Sequence, residues 1–163
     1  MILIVAADEK WGIGIKGDLL TPLPEDMKFF REKTKGSVVV YGRKTLESFP
    51  NHKPLPNRIN IVLTNNKDFK CEGTTVVYSI EEALKECEKY TDREVFLIGG
   101  GTLYRSMLKY CDKAYITKIE KTFEEADTFI YNLDEMSDWK QTEVSDQKEY
   151  KGTYFRFTTY ERV

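Results

Sequence analysis

The sequence predicts an α/β fold with a mainly parallel, twisted sheet, helices on both faces and a C-terminal antiparallel hairpin edge. Apolar runs of strand length recur at residues 2–7, 37–41, 59–64, 94–98 and 113–119. Segments with helix-start signals separate most of these runs, and such alternation is typical of a parallel sheet. The region from residue 139 to 160 has no helical period, and Lys151-Gly152 predicts a turn between two closing strands.

Composition indicates an ordinary globular protein. Hydrophobic residues make up 40% and charged residues 32% of the 163 residues, enough for one domain over residues 1–163 with its own core. A net charge of −2 gives no electrostatic footprint for nucleic acid or an anionic membrane. No apolar run has the length of a membrane span, and residues 1–7 lack the basic start of a signal peptide. We expect a cytoplasmic location, which the unpaired cysteines described next also favour, and a monomer.

Cysteine and histidine content argues against two kinds of site. Cys71, Cys87 and Cys111 are odd in number and contain no close pair, which fits reduced thiols. His52 is the single histidine, so a His/Cys zinc cluster is not expected and we predict no metal. A Ser-His-Asp triad would have to use His52, and the chain has no Gly-x-Ser-x-Gly turn, so a hydrolase with such a triad is not expected.

The segment that follows the first strand is rich in glycine. Gly12, Gly14 and Gly17 fall within six residues, which predicts a flexible loop rather than a core element. Such a loop either closes over a ligand or is a plain connector.

A helix is predicted over residues 24–35, with a proline at its first position. Leu23, Met27 and Phe30 are spaced i, i+4, i+7, which predicts the core-facing stripe. Asp26 falls on this apolar face. Its carboxylate either complements the helix dipole or is kept in a pocket to bind and help protonate a ligand.

Two glycine turns lie between a strand and a helix, where open α/β sheets bind ligands. Gly42-Arg43-Lys44-Thr45 offers two cations and a hydroxyl, which suits a phosphate or a solvated basic turn. Gly99-Gly100-Gly101 lets the backbone approach a ligand closely. Arg58, after a proline-rich loop, either binds a carboxylate in a two-pronged bond or is a surface charge. These residues alone indicate an α/β enzyme with a phosphorylated cofactor.

An ordered set of motifs adds a family resemblance. The motifs are Ile4-Val5-Ala6-Ala7, Gly12-Ile13-Gly14, Leu23-Pro24-Glu25-Asp26-Met27-Lys28-Phe29-Phe30, Tyr41-Gly42-Arg43-Lys44-Thr45, Glu47-Ser48, Pro54-Leu55-Pro56-Asn57-Arg58, Ile98-Gly99-Gly100-Gly101 with Tyr104, and Ala126-Asp127-Thr128. In these motifs, and in their order and spacing, the chain resembles the bacterial dihydrofolate reductases over essentially its full length.

The resemblance implies that 7,8-dihydrofolate is reduced to 5,6,7,8-tetrahydrofolate by NADPH. A hydride passes from nicotinamide C4 to pterin C6, and a proton arrives at N5. Such an enzyme supports one-carbon metabolism and thymidylate synthesis and is an antifolate target. Asp26 matches the acid that binds the 2-amino group and N3 and favours protonation at N5 through water. Thr117 matches the hydroxyl that braces this acid.

The same resemblance implies binding residues. Arg58 would bind the α-carboxylate of the substrate's glutamate tail. The apolar and aromatic walls around the substrate would be formed by Val5, Ala6, Met27, Phe30, Phe49, Leu55, Ile98 and Tyr104. Without the resemblance, Val5, Met27 and Phe30 could equally be ordinary core residues. NADPH would be lined by Ala7, Ile13, Gly14, Gly17, Asp18, Leu19, Gly42, Arg43, Lys44, Thr45, Leu63, Thr64, Asn65, Gly99, Gly100, Gly101, Thr102 and Leu103. Residues 13–19 would be a mobile loop over the nicotinamide, and the Gly99–Gly100 bond would be cis.

The sequence departs from the family pattern at two places. Leu20 and Thr21 stand where the family usually has Pro-Trp, a tryptophan that packs beside the pterin and orders water near the acid. Thr102 replaces an arginine that helps bind the 2′-phosphate in some members, so cofactor preference would rest more on Arg43 and Lys44.

Two alternative functions are kept. One is a related reductase of another pterin or of a ribosylated pyrimidine, although a substrate without a glutamate tail has no use for Arg58. The other is a non-catalytic nucleotide-binding module, which only the altered Leu20-Thr21 pair favours.

Overall fold

The computed structural model describes all 163 residues and is built on a nine-stranded sheet beside a three-stranded one. The strands are β1 (Ile2–Ala7), β2 (Gly12–Ile15), β3 (Asp18–Leu19), β4 (Val38–Gly42), β5 (Ile59–Leu63), β6 (Thr74–Val77), β7 (Val95–Gly99), β8 (Lys113–Ile119), β9 (Thr128–Phe129), β10 (Trp139–Val144), β11 (Lys148–Tyr150) and β12 (Thr153–Arg162). The large sheet has the order β10-β12-β8-β1-β7-β4-β5-β6, with β11 also paired to β12.

The large sheet is parallel from β8 to β6 and antiparallel at its C-terminal edge. β1 pairs with β7 and β8, and β4 pairs with β5 and β7, all in parallel. β12 runs antiparallel to β8, β10 and β11. Lys151 and Gly152 both have positive φ and form the turn between β11 and β12. The predicted fold class and its closing hairpin are therefore confirmed.

Helices cover both faces of the large sheet. They are α1 (Pro24–Thr34), α2 (Arg43–Ser48), α3 (Ile80–Cys87) and α4 (Gly101–Met107), with short 3-10 turns at Pro50–His52, Leu108–Tyr110 and Leu133–Glu135. Phe30 of α1 and Leu46 of α2 pack in one cluster of the sheet. Ala83 of α3 and Met107 of α4 pack in the larger cluster on the other face. None of these helices is long and apolar enough to cross a membrane.

Local sequence explains where the helices begin and end. The Ser79 hydroxyl accepts a bond from the Glu82 N–H at 3.1 Å, and the Glu82 carboxylate accepts one from the Tyr78 N–H at 2.7 Å. This is the capping box expected for α3. α1 begins at a proline and ends one residue earlier than predicted, before Gly36, whose φ of 76° continues no helix.

The glycine-rich segment is not the loop that the sequence predicts. β2 and β3 form a hairpin, and β2 also pairs with β9. Trp11 and Ile13 are only 6% and 7% exposed and belong to the main core. A Cβ at Gly12 would lie 3.0 Å from the Ala126 Cβ. Here glycine allows close packing between strands, so the prediction that this segment is a loop and not a core element is wrong.

The predicted core-facing stripe of α1 is wrong at one position. Leu23 is buried, but Met27 is 47% exposed. Phe29, which lies outside the stripe, stacks on Phe157 with ring centroids 4.5 Å apart. Helical spacing determines which side chains share a face, whereas burial depends on what packs against that face.

Candidate active site

Three segments predicted to line a cofactor meet where parallel strands end. Gly42 at the end of β4 is in register with Leu63 at the end of β5. A Cβ at Gly42 would lie 3.7 Å from Leu103 Cδ1, and a Cβ at Gly99 would lie 3.5 Å from Thr45 Oγ1. The structure therefore brings residues 42–45, 63–65 and 99–103 together at one edge of the sheet.

The glycine turn between β7 and α4 leaves no room for side chains. The Gly99–Gly100 peptide bond is cis, as the resemblance implies. Gly99 has a φ of 127°, a backbone conformation that favours glycine. A Cβ on Gly101 would collide with Thr128 Cγ2. Glycine is thus required here both by backbone conformation and by close contact with β9.

Cationic and hydroxyl side chains follow the ends of β4, β5 and β7 at this edge of the sheet. Arg43 Nε lies 3.2 Å from Glu47 Oε1 within α2, and both side chains are partly exposed. Lys44, Asn65 and Thr102 are exposed. The Thr64 hydroxyl accepts a bond from the Asn66 N–H at 3.1 Å. This donor set, with two cations beside glycine backbone, fits an anionic phosphate group.

Asp26 joins α1 to the large sheet. The Thr117 hydroxyl of β8 donates to Asp26 Oδ1 at 2.6 Å, and Thr117 is buried opposite Ala6 of β1. Burial raises the pKa of Asp26 above its ordinary value, and the bond from Thr117 opposes this in part. The carboxylate is thus held in one place and in surroundings that favour its protonated form.

Apolar and aromatic side chains predicted to contact substrate are divided among neighbouring clusters. Phe30, Phe49, Leu55 and Ile98 belong to the cluster on the α1 face. Val5 and Tyr104 belong to the cluster on the opposite face, and Ala6 packs with Leu20 in a third cluster. The Tyr104 hydroxyl donates to the Ile4 carbonyl at 2.8 Å. Burial raises the pKa of Tyr104, which keeps this donor neutral.

The half-buried guanidinium of Arg58 lies at the C-terminal end of α1. Its Nε donates to Thr34 Oγ1 at 2.8 Å and its Nη1 to the Pro56 carbonyl at 2.7 Å. Its Nη2 is 3.5 Å from the Arg31 carbonyl. These acceptors are a hydroxyl and two carbonyls rather than carboxylates. Burial, and then the charge of Arg31, lower the pKa of Arg58.

Residues 12–19, called the glycine hairpin below, are bonded to Asp127 at the exposed tip residue Lys16 and at the buried Gly14. The Lys16 N–H donates to Asp127 Oδ2 at 2.9 Å, and the Asp127 N–H donates to the Gly14 carbonyl at 3.0 Å. Asp18 and Leu19 are exposed, Leu19 by 69%. Ala7 and Ile13, predicted to contact the cofactor, are buried and belong to the main core.

Sequence reasoning missed a buried polar residue beside the site. Asn60 Oδ1 accepts from the Tyr41 hydroxyl at 2.7 Å and from the Leu55 N–H at 3.0 Å. Its Nδ2 donates to the Leu55 carbonyl at 2.9 Å and to the Arg58 carbonyl at 3.2 Å. An asparagine inside the apolar run of β5 was the signal, because buried polar groups need partners.

The whole chain is similar to known proteins. A family model described as dihydrofolate reductase matches residues 1–162. The chain is 39% identical to a dihydrofolate reductase of Staphylococcus haemolyticus, covering 99% of this chain and 95% of the relative. It is 40% identical to one of Bacillus subtilis, covering 98% and 92%. A solved dihydrofolate reductase from Enterococcus faecalis, complexed with NADP(H) and RAB-propyl, superposes with a TM-score of 0.86 at 38% identity, covering 99% and 95%.

Proposed function

The chain belongs to the dihydrofolate reductase family, and from that premise we propose which residues carry its reaction. It reduces 7,8-dihydrofolate to tetrahydrofolate, and NADPH supplies the hydride when bound. The remaining task of the protein is to bind and orient both molecules and to assist one proton transfer.

Asp26 binds the pterin and favours its protonation. A carboxylate facing the 2-amino group and N3 makes paired, charge-assisted bonds, and it favours protonation at N5 through water. The observation that carries this proposal is the 2.6 Å bond from Thr117 to Asp26 Oδ1, which supports the carboxylate from β8. Each carboxylate oxygen has two lone pairs, so Oδ1 and Oδ2 can both accept from the ligand. Thr21 stands where the family usually has a tryptophan, so water near Asp26 would be ordered without an indole.

The other site residues divide by the chemistry of the ligand they contact. Flat ring systems are enclosed by Val5, Ala6, Met27, Phe30, Phe49, Leu55, Ile98 and Tyr104. Arg58 binds the α-carboxylate of the glutamate tail. The dinucleotide is held by residues 42–45, 63–65 and 99–103, together with Ala7 and, in the glycine hairpin, Ile13, Gly14, Gly17, Asp18 and Leu19.

We propose a single domain that acts as a monomer in the cytoplasm. The large sheet uses strands from β1 to β12, so residues 1–163 share one framework. Every proposed site residue comes from this one chain. The cysteines are unpaired, and Cys111 is buried, which suits a reducing compartment.

Asp26→Asn tests the catalytic assignment. We expect kcat/KM for dihydrofolate near neutral pH to fall roughly 10²- to 10⁴-fold, with partial recovery in acid, where substrate arrives protonated. Glu25→Gln is the matched control, because Glu25 is the neighbouring exposed acid and pairs with Lys148. An Asp26→Asn enzyme with an unchanged neutral rate would contradict the assignment.

The same variant has a measurable effect on stability. The folded pKa of Asp26 is raised above 3.8, so its ionised form destabilises the fold as pH rises through that raised value. Asparagine keeps an acceptor for Thr117 and carries no charge. We therefore expect Asp26→Asn to unfold at higher urea concentration than the parent near neutral pH, which separates lost catalysis from lost folding.

Arg43→Ala tests the proposed contact with the cofactor's 2′-phosphate. We expect KM to rise far more for NADPH than for NADH, because only NADPH carries the extra phosphate. Glu47→Gln is the control, since it removes the partner of Arg43 without removing the guanidinium. Equal effects of Arg43→Ala on the two cofactors would exclude the phosphate role.

A further inference from the structure

Thr34 is a fully buried polar residue in the last turn of α1, with 0% exposure. Its hydroxyl donates to the Phe30 carbonyl at 2.8 Å, and its oxygen accepts from Arg58 Nε, also at 2.8 Å. A hydroxyl has one proton, and here that proton is directed to the helix carbonyl. Towards Arg58 the Thr34 oxygen therefore acts only as an acceptor.

The bonds of Arg58 leave donors free on both terminal nitrogens of its guanidinium. A guanidinium has five N–H donors, of which one is on Nε and two are on each terminal nitrogen. Thr34 takes the Nε donor, Pro56 takes one from Nη1, and Arg31 lies 3.5 Å from Nη2. One donor remains on each terminal nitrogen. A carboxylate that accepts from both terminal nitrogens is bound through a fork of parallel bonds.

Thr34 is the side-chain anchor among these three contacts, and it lies 24 residues from Arg58 in the chain. The Pro56 carbonyl lies two residues from Arg58 in the same loop, so its bond does not link the guanidinium to α1. The Arg31 contact is long, at 3.5 Å. Thr34 therefore ties the direction of the guanidinium to α1 and, through that helix, to the element that carries Asp26.

We propose that Thr34 is a positioning residue for substrate recognition: by holding Arg58 Nε it aims the free fork at the carboxylate of the substrate's glutamate tail. The proposal rests on the proposed role of Arg58. Without the anchor, rotation about the last side-chain bonds of Arg58 turns the fork away from the carboxylate. Loss of the Thr34 hydroxyl should lower kcat/KM more for substrates with a tail carboxylate than for pterins without one.

The test compares two substrates in Thr34→Val, which removes the hydroxyl and keeps the shape. Dihydrofolate carries the tail, and 6-methyl-7,8-dihydropterin carries no carboxylate. We expect the ratio of kcat/KM for dihydrofolate to that for the pterin to fall about 10-fold, mainly through KM, as for the loss of a bond to a charged group. Thr34→Ser keeps the hydroxyl and should restore the ratio.

Thr158→Val is a matched control for the general effect of losing a buried hydroxyl. Thr158 is 4% exposed and donates to the Ile116 carbonyl at 2.6 Å, away from Arg58. Its substitution should leave the substrate ratio unchanged. If Thr34→Val does not fold, Thr34→Ala provides the same loss of the hydroxyl with less volume.

Arg58→Leu separates failure of this inference from failure of the function it rests on. If Arg58→Leu leaves the substrate ratio unchanged, the role of Arg58 itself is wrong. If Arg58→Leu lowers the ratio and Thr34→Val does not, Thr34 has no positioning role. A Thr34→Val variant impaired equally on both substrates would show a purely structural role. Adding Thr34→Val to Arg58→Leu should lower the ratio no further.

Discussion

Two segments beside the proposed site are held in opposite ways. Residues 54–58, which we name the anchored loop, are fixed from inside the protein: Asn60, only 3% exposed, bonds both main-chain groups of Leu55 and the carbonyl of Arg58. The glycine hairpin is fixed at its tip from outside, by bonds between exposed residues 16 and 127 and a main-chain bond to Gly14.

The difference predicts that the two segments resist movement to different extents. A buried bond is expensive to break because no water replaces the lost partner, whereas water can replace an exposed one. The anchored loop therefore holds the main chain of Arg58 in place, and Thr34 of α1 holds its guanidinium. The glycine hairpin can detach its tip at low cost while Trp11 and Ile13 keep its base in the core.

The largest expected loss of stability comes from removing the Asn60 side chain, which holds the anchored loop. Asn60→Ala leaves the Leu55 N–H, the Leu55 carbonyl and the Tyr41 hydroxyl without their partner. We expect the free energy of unfolding to fall by roughly 3 kcal/mol, measured by urea denaturation. Asn66→Ala, at an exposed turn, should change it by about 0.5 kcal/mol or less. A loss under about 1 kcal/mol in Asn60→Ala would show that water replaces these bonds and would remove the contrast.

A smaller loss should follow from removing one bond of the same anchor. Burial raises the pKa of Tyr41, so its hydroxyl stays neutral and donates to Asn60. Tyr41→Phe keeps the ring and leaves Asn60 bonded to the loop, so we expect a loss of about 1 kcal/mol in the same urea measurement. Tyr154→Phe, at a 46% exposed position, is the control and should be nearly neutral. A Tyr41→Phe variant as unstable as Asn60→Ala would mean that the tyrosine, and not the asparagine, carries the anchor.

The smallest effect on stability should come from the glycine hairpin. Asp127→Ala removes the acceptor of the Lys16 N–H, an exposed bond, so the free energy of unfolding should change by less than about 0.5 kcal/mol. Hydrogen exchange at the Lys16 amide should nevertheless become faster, because that amide loses its partner. Glu124→Ala, at an exposed acid nearby in sequence, should leave this exchange rate unchanged. A large loss of global stability in Asp127→Ala would place the hairpin tip in the same class as the anchored loop.

The pH dependence of the hairpin tip follows from the same bond. The Lys16 N–H, and then the Thr128 hydroxyl, lower the pKa of Asp127 below 3.8. Because the pKa of Asp127 is lower in the folded state than in the unfolded state, the stabilisation from its ionised carboxylate is complete above the unfolded pKa. This stabilisation is lost as pH falls through the folded pKa. Exchange at the Lys16 amide, corrected for its intrinsic pH dependence, should therefore show loosening of the tip only below pH 3.8.

The sequence by itself determined the elements whose causes are local. The α3 capping box needs residues within four positions of one another, and the turn at Lys151 and Gly152 needs two neighbours. The apolar runs predicted the parallel strands because a strand buried on both faces has no polar side. Asp26, Arg43 and Arg58 were identified as candidates, with the local alternatives still open before the family resemblance.

The tertiary structure alone decided what these residues contact. Thr34 and Arg58 are 24 positions apart, Asn60 and Tyr41 are 19 apart, and Thr117 and Asp26 are 91 apart. No periodicity relates such pairs, because their meeting depends on the order of strands in the sheet. Contacts between distant residues also decide the structure of the glycine hairpin. Glycine permits both flexibility and close packing, and only the contacts with Ala126 and Thr128 show close packing here.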